Sequence, residues 1–183
     1  MKTIFLDRDG VINKDFGYVN KWDQFKLING TLKALQTLSK NNFNIIIVTN
    51  QAGIAKGFYT EEDFHTLTRK FEHFCLNNDI KILHTFYCPH HKDGIIKRYA
   101  KDCENRKPNS GMFLKAAKLY NINLEKAIMV GDNITDIIAS TNAGIKINYL
   151  IKLHLTKEDL NKKITFIVKE NLLSVTNEIC KCF

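Results

Sequence analysis

A chain of 183 residues, 44% hydrophobic and 25% charged, has the balance of one globular domain able to bury about 70% of its extended surface in a single core. No apolar run approaches the ~18 residues that span a bilayer, and the apolar N-terminal run stopped by Asp7 is too brief for a secretory signal, so a cytoplasmic protein is expected. The net charge of +8 is spread along the chain; it reads first as a lysine-rich and asparagine-rich composition and second as attraction for a phosphate-bearing substrate.

Thr3 to Leu6 mixes β-branched and apolar residues as a buried strand does, and it ends at Asp7-Arg8-Asp9-Gly10. Ligands of open α/β sheets bind beyond the carboxyl ends of the strands, so Asp7 and Asp9 are expected to face a crevice, with Arg8 on the opposite side of an extended chain. Two carboxylates this close repel unless a cation lies between them or one is protonated. A magnesium-assisted phosphoryl transfer uses both options; the plain alternative is a solvated Asp-Gly turn.

Lys14 to Val19 lacks a helical period and reads as an irregular flap over that strand end. Thr31 to Asn41 places Leu32, Leu35 and Leu38 on one helical face. Ile45 to Val48 is apolar on both faces, as a central parallel strand is, and it ends at Thr49-Asn50-Gln51. Thr60 caps a helix that carries Phe64, Leu67, Phe71 and Cys75 inward. Lys81 to Tyr87 reads as a strand leading into a loop insert at about 88–107. Gly111 to Tyr120 reads as a helix with Phe113, Ala116, Ala117 and Tyr120 inward. Ala127 to Val130 is a buried strand ending in Gly131-Asp132-Asn133, followed by a helix from about Thr135 to Asn142. Gly144 to Ile151 and Ile164 to Val168 read as late strands, and Leu172 to Ile179 as a closing helix. Strands alternating with helices predict an α/β domain spanning 1–183 with a mostly parallel sheet. Five cysteines, two of them in the tail Cys180-Lys181-Cys182, do not form a disulfide framework in a chain of this size.

Polar clusters fall at three strand ends, Asp7/Asp9, Thr49 to Gln51 and Asp132/Asp136, with Arg106-Lys107 ahead of a helix. This ordered set resembles the haloacid dehalogenase superfamily of phosphatases. The resemblance implies a doubly wound, Rossmann-like sheet in which Asp7 attacks phosphorus and Asp9 serves as general acid and base. It implies Mg2+ held by Asp7, Asp132 and the backbone carbonyl of Asp9, with Asp136 orienting this set. Thr49 would bond the phosphoryl oxygens and Lys107 would neutralise them. The chemistry needs such company, because phosphate monoester hydrolysis calls for up to about 10²¹-fold acceleration, on the order of 28 kcal/mol. Asp9 also separates subgroups, since members that cleave carbon–halogen bonds need no acid two residues after the nucleophile. With no substantial insert after Asp9 or Thr49, no large cap domain is expected, and loops alone cover the cleft.

Phe5-Leu6-Asp7-Arg8-Asp9-Gly10, Asp15 to Val19, Thr49 to Ala55, Cys88-Pro89-His90-His91, Arg106-Lys107-Pro108 and Gly111-Met112 together resemble the D,D-heptose 1,7-bisphosphate phosphatase family, whose relatives include histidinol-phosphate phosphatases. This implies removal of the 7-phosphate of a sugar bisphosphate, for surface heptose and lipopolysaccharide synthesis, by a monomer that binds neither nucleic acid nor membrane. It places Asp15, Phe16, Gly17, Tyr18, Thr49, Asn50, Gln51, Ala52, Arg106 and Asn133 against substrate. The family's zinc loop is matched at Cys88, His90 and Cys103, but Asn105 stands where its last cysteine belongs, leaving a structural Zn2+ open or completed by His91 or a tail cysteine. Asn133 replaces the family's usual lysine and removes one positive contact to phosphate. Competing readings are a histidinol-phosphate phosphatase, a nucleic-acid 3′-phosphatase and a non-catalytic phosphosugar-binding protein; the last would predict erosion of Asp7, Asp9, Lys107 or Asp132, and all four are present.

Overall fold

Every residue of the first strand, β1 (Thr3–Leu6), is buried, and hydrogen-bonded strands flank it on both sides. The computed structural model describes residues 2–151 and 164–181. After β1 come α1 (Thr31–Lys40), β2 (Asn44–Asn50), the single turn α2 (Ala52–Ala55), α3 (Glu61–Leu76) and β3 (Ile82–Cys88). The second half contains α4 (Gly111–Tyr120), β4 (Ile128–Gly131), α5 (Ile134–Asn142), β5 (Ile147–Ile151), β6 (Ile167–Lys169) and α6 (Leu172–Ile179). The six strands form one parallel sheet in the order β3-β2-β1-β4-β5-β6.

That order fixes where chemistry can occur. The chain runs outward from β1 to β3, then returns to place β4 on the other side of β1, so the order in which strands are added reverses between β1 and β4 while all of them stay parallel. Helices leave the sheet on opposite faces there, and a crevice opens beyond the carboxyl ends. Asp7 N–H still donates to Val130 O at 3.0 Å, so the two strands stay tied up to the residues that carry the carboxylates.

The central strands divide their side chains between two cores. Ile4, Leu6, Ile45, Ile47 and Val130 join α1, α3 and α6 through Leu35, Phe71 and Val175. Phe5, Ile46, Val48 and Met129 join α4 and α5 through Phe113, Ala116 and Ala139. Phe5 meets Phe113 edge-to-face at 5.1 Å, and burying such a side chain stabilises the fold by about 2–3 kcal/mol.

Element boundaries depart from expectation where packing is thin. In α4 the buried positions are Met112, Phe113 and Ala116, while Ala117 and Tyr120 are only partly covered; the Tyr120 hydroxyl pairs with His84 Nδ1 at 3.0 Å. The late strands are shorter than expected, because β6 is an edge strand whose Ile167 and Val168 remain exposed. Thr60 caps α3 through a reciprocal box with Asp63, which accounts for the clean start of that helix. Among the described residues, no helix is long and apolar enough to cross a membrane.

Candidate active site

A cavity of about 550 Å³ opens at the carboxyl ends of β1, β2 and β4. β1 delivers Asp7 and Asp9 to it, and the end of β2 delivers Thr49, Asn50, Gln51 and Ala52. Asp132 and Asn133 enter after β4, Arg106 and Lys107 from the loop ahead of α4, and Asp15, Gly17 and Tyr18 from the flap. Phe16 is the exception to the expected set: it does not line the cavity and is 65% exposed. Asp15 Oδ1 accepts from Gly17 N at 2.8 Å, and Gly17 and Tyr18 take φ of 78° and 56°, so the chain turns tightly and leaves Phe16 at the tip. The Tyr18 ring leans on Phe58 at 4.5 Å, and its hydroxyl receives a hydrogen bond from Lys56 Nζ at 2.9 Å.

Lys107 is the electrostatic centre. Its ammonium contacts Asp7 Oδ1 at 2.9 Å and Asp136 Oδ1 at 2.6 Å, and donates to Val48 O at 2.8 Å. Three protons meet three acceptors, so Lys107 neutralises the carboxylates directly and acts on a phosphate only as a nearby charge. Burial works against the ammonium, but Asp136 and Asp7 outweigh it and hold its pKa above the ordinary lysine value. Asn50 fixes this lysine's backbone reciprocally: Nδ2 donates to Lys107 O at 3.0 Å, and Oδ1 accepts from Lys107 N at 3.1 Å.

Arg8 does not lie opposite the two carboxylates as an extended chain would place it. The backbone bends after Leu6, and the buried guanidinium doubles back onto Asp9, with Nε 3.1 Å and Nη2 2.8 Å from Oδ2. Nη2 also donates to Val19 O at 2.8 Å, and the guanidinium carbon lies 5.7 Å from the Phe64 ring centre and 6.0 Å from that of Phe25. Asn13 Nδ2 adds a hydrogen bond to Asp9 Oδ1 at 2.9 Å. The signal for Arg8 was weak in sequence, since its aromatic surroundings come from distant segments. Tyr59 and Thr135, which also line the cavity, carried no local motif.

Asp7, Asp132 and Asp136 offer carboxylate oxygens that all lie within 4.8 Å of one another. Burial pushes the Asp7 carboxyl well above the usual range; Lys107 opposes this, while Asp136 and Asp132 add to it. Asp132 is pushed up to about 7, first by burial and then by Asp136. A crowd of hard oxygens with raised affinity for protons suits a divalent cation such as magnesium. Gly10 leaves room for the Asp132 carboxylate: with φ of +86°, a Cβ there would fall 1.9 Å from Asp132 Oδ2. Asp136 has the more occupied carboxylate, since Oδ2 accepts from the N–H groups of Asp132 and Asn133 at 3.2 and 3.1 Å while Oδ1 meets Lys107. Asn133 faces its own helix, Oδ1 accepting from Thr135 N at 3.0 Å, so it caps α5 where a lysine would carry charge.

A second cluster sits beneath Arg106. Donor atoms of Cys88, His90 and Cys103 lie within 4.8 Å of one another. Burial pushes the Cys88 thiol up to about 12, and Cys103 adds to that shift. Arg106 Nη1 donates to His90 O at 3.2 Å, which ties this cluster to the cavity wall. His91 lies outside the cluster, its Nδ1 accepting from Asp93 N at 3.1 Å, and Cys180 packs against the core on the other face of the sheet. Cys182 falls outside the described residues.

A family profile described as haloacid dehalogenase-like hydrolase matches residues 1–144. The D-glycero-beta-D-manno-heptose-1,7-bisphosphate 7-phosphatase of Haemophilus influenzae is 43% identical over 151 residues, covering 82% of each chain. The D-glycero-alpha-D-manno-heptose-1,7-bisphosphate 7-phosphatase of Photorhabdus laumondii is 39% identical over 180 residues, 98% of this chain and 97% of the relative. The D,D-heptose 1,7-bisphosphate phosphatase of B. bronchiseptica, solved with magnesium and phosphate, matches with a TM-score of 0.87 and 27% identity over 100% of both chains. With its carboxylate cluster at the switch point of a parallel sheet and a profile match over most of its length, the chain belongs to the haloacid dehalogenase-like hydrolase family.

Proposed function

We propose that the chain is a magnesium-dependent phosphatase that removes the 7-phosphate of D-glycero-D-manno-heptose 1,7-bisphosphate. The observation that carries this is one cavity gathering Asp7, Asp9, Lys107 and Asp132 beside a flap and an arginine that can hold a second anionic group. Asp7 Oδ1 is occupied by Arg8 N–H at 2.8 Å and by Lys107, leaving Oδ2 to attack phosphorus. The new bond joins Oδ2 to phosphorus as the ester P–O bond breaks, and Asp9 gives its proton to the departing alkoxide. Asp9 then takes a proton from water, which attacks phosphorus, releasing phosphate and restoring Asp7. Asp7, Asp132 and the Asp9 carbonyl would hold magnesium, which would supply positive charge to the phosphoryl oxygens. Thr49 Oγ1 accepts from Gln51 Nε2 at 2.8 Å, so its own proton is directed to a phosphoryl oxygen. Arg106 takes the second phosphate or a sugar oxygen through its planar fork of donors.

This reading is of a single uncapped domain acting as a cytoplasmic monomer on the way to surface heptose. Among the described residues, Cys75, Cys88, Cys103 and Cys180 are free thiols, as a reducing compartment keeps them. The test is phosphate release with magnesium across both heptose bisphosphate anomers, histidinol phosphate and a 3′-phosphorylated DNA oligonucleotide. Both anomers belong in the panel because relatives named for either lie at 43% and 39% identity. A heptose bisphosphate is expected to lead by at least about 10²-fold in kcat/KM, on the order of 3 kcal/mol of discrimination. Preference for the DNA end, with steep loss in salt, would overturn the sugar assignment.

We also propose that Cys88, His90 and Cys103 hold a structural zinc that stiffens the loop carrying Arg106 and Lys107. Two thiols and an imidazole suit zinc, and Asn105 in place of a fourth soft ligand weakens its hold. The purified protein is expected to contain zinc and to lose it to chelator faster than the Asn105→Cys variant does. Absence of zinc from both proteins would sink the assignment.

A further inference from the structure

The Asp9 carboxylate has three side-chain partners among the described residues, and they differ in where they lie. Arg8 and Asn13 hold it from behind and do not line the cavity. Gln51 holds it from the cavity side, Nε2 donating to Asp9 Oδ2 at 3.2 Å and to Thr49 Oγ1 at 2.8 Å. One amide nitrogen thus joins the group assigned to proton transfer with the hydroxyl assigned to the phosphoryl oxygens. An amide can turn over, and turned over it would present Oε1 to a carboxylate and a hydroxyl oxygen.

The Asp9 carboxylate, which only accepts, disfavours that turn, and at the far end of the amide the Tyr59 hydroxyl donates to Gln51 Oε1 at 2.5 Å. The phenol proton thereby anchors the oxygen end while the NH2 end holds Asp9 and Thr49. Burial holds the Tyr59 pKa above the ordinary value, so the hydroxyl remains a donor throughout the working range of the enzyme. Tyr59 is only 8% exposed, and its ring sits where a Cβ on Gly53 would approach Cε1 to 2.1 Å. Gly53 therefore makes the space that brings the hydroxyl to Gln51.

We infer that Tyr59 is a positioning residue for proton transfer, acting through Gln51 to aim Asp9 at the leaving group. The inference rests on the acid/base reading of Asp9 and assigns Tyr59 no contact with substrate. It predicts a dependence on leaving group. A poorly aimed acid harms departure of an alkoxide, which needs the proton, and spares departure of a nitrophenolate, which leaves without it. Because kcat/KM covers events only through departure of the leaving group, later hydrolysis of the aspartyl-phosphate does not blur the comparison.

The experiment measures kcat/KM with glycerol phosphate and with 4-nitrophenyl phosphate. For Tyr59→Phe the alkyl substrate is expected to lose roughly tenfold and the aryl substrate no more than about twofold, the effect of one hydrogen bond on the barrier. Asp9→Asn is expected to show the same asymmetry more strongly. If Asp9→Asn shows none, the acid reading of Asp9 fails; if it does and Tyr59→Phe loses equally on both substrates or on neither, the relay alone is overturned. Gln51→Ala cuts the relay in the middle while leaving the Tyr59 ring packed, so it must reproduce the asymmetry even if Tyr59→Phe folds poorly. Adding Tyr59→Phe to Gln51→Ala is expected to cost nothing further, and an additive loss would exclude action through Gln51.

Discussion

Asp7→Asn is expected to abolish phosphate release, lowering kcat by on the order of 10⁵-fold, while the protein folds and melts at a higher temperature than the wild type in chelator at pH 8. The first half follows from attack through Oδ2. An amide is isosteric with the carboxylate and still accepts from Arg8 N–H and Lys107 through its oxygen, but it has no anionic oxygen to bond phosphorus. The second half follows from the crowding of Asp7, Asp132 and Asp136. Burial raises the Asp7 carboxyl pKa in the folded protein, so the folded state holds its proton more tightly than the unfolded chain does. Stability then falls as pH rises from the unfolded carboxylate pKa toward the folded one, and a neutral amide escapes that loss. The gain is expected to be largest at pH 8 and to vanish near pH 4, at roughly 2–4 °C in Tm per kcal/mol relieved. Activity near that of the wild type would eliminate Asp7 as nucleophile; a Tm advantage that persists at pH 4 would eliminate the electrostatic origin.

The frame of this site was legible because strand ends are where local pattern and topology agree. Apolar runs stop abruptly at Asp7, Thr49 and Asp132, and a parallel sheet must bring such ends together. The cap at Thr60 was equally plain, since a capping box is complete within four residues. What escaped depends on partners far apart in the chain. Arg8 read as a residue of the opposite face, yet it is enclosed by Phe25 and Phe64 and closes on its own neighbour, Asp9. Lys107 read as a charge that neutralises phosphoryl oxygens, but its contacts to Val48 O, Asp7 and Asp136 join segments far apart in the chain and had no local sign. Phe16 was grouped with its flap neighbours, and a turn of two positive-φ residues separates it from them. Tyr59 belonged to no motif because its role passes through Gln51, and a side chain's hydrogen-bond direction leaves no periodic trace.

Lys107→Met is the second large effect, and it divides activity from stability differently. Loss of the ammonium is expected to lower kcat by about 10²–10³-fold, the effect of removing one preorganised electrostatic contact, and to destabilise the fold by about 3 kcal/mol near neutral pH. Methionine fills most of the lysine stem's volume, so lost packing contributes little. The damage comes from leaving Asp7 and Asp136 buried beside Asp132 with no cation among them. The folded pKa of Asp7, already held above its unfolded value by burial, then rises further, and protonation relieves the repulsion as pH falls. The stability deficit in urea titrations is therefore expected to be greatest at pH 8 and to shrink markedly by pH 5. Lys107→Arg should not restore activity, because a planar guanidinium cannot direct three protons from one nitrogen to Val48 O, Asp7 and Asp136 at once. Magnesium should narrow the stability gap without restoring turnover, since a cation held by the carboxylates relieves their repulsion but leaves Val48 O unpaired and Asp7 less firmly held. A deficit independent of pH would mean that Lys107 serves the fold through packing, and the charge balance assigned to it would be wrong.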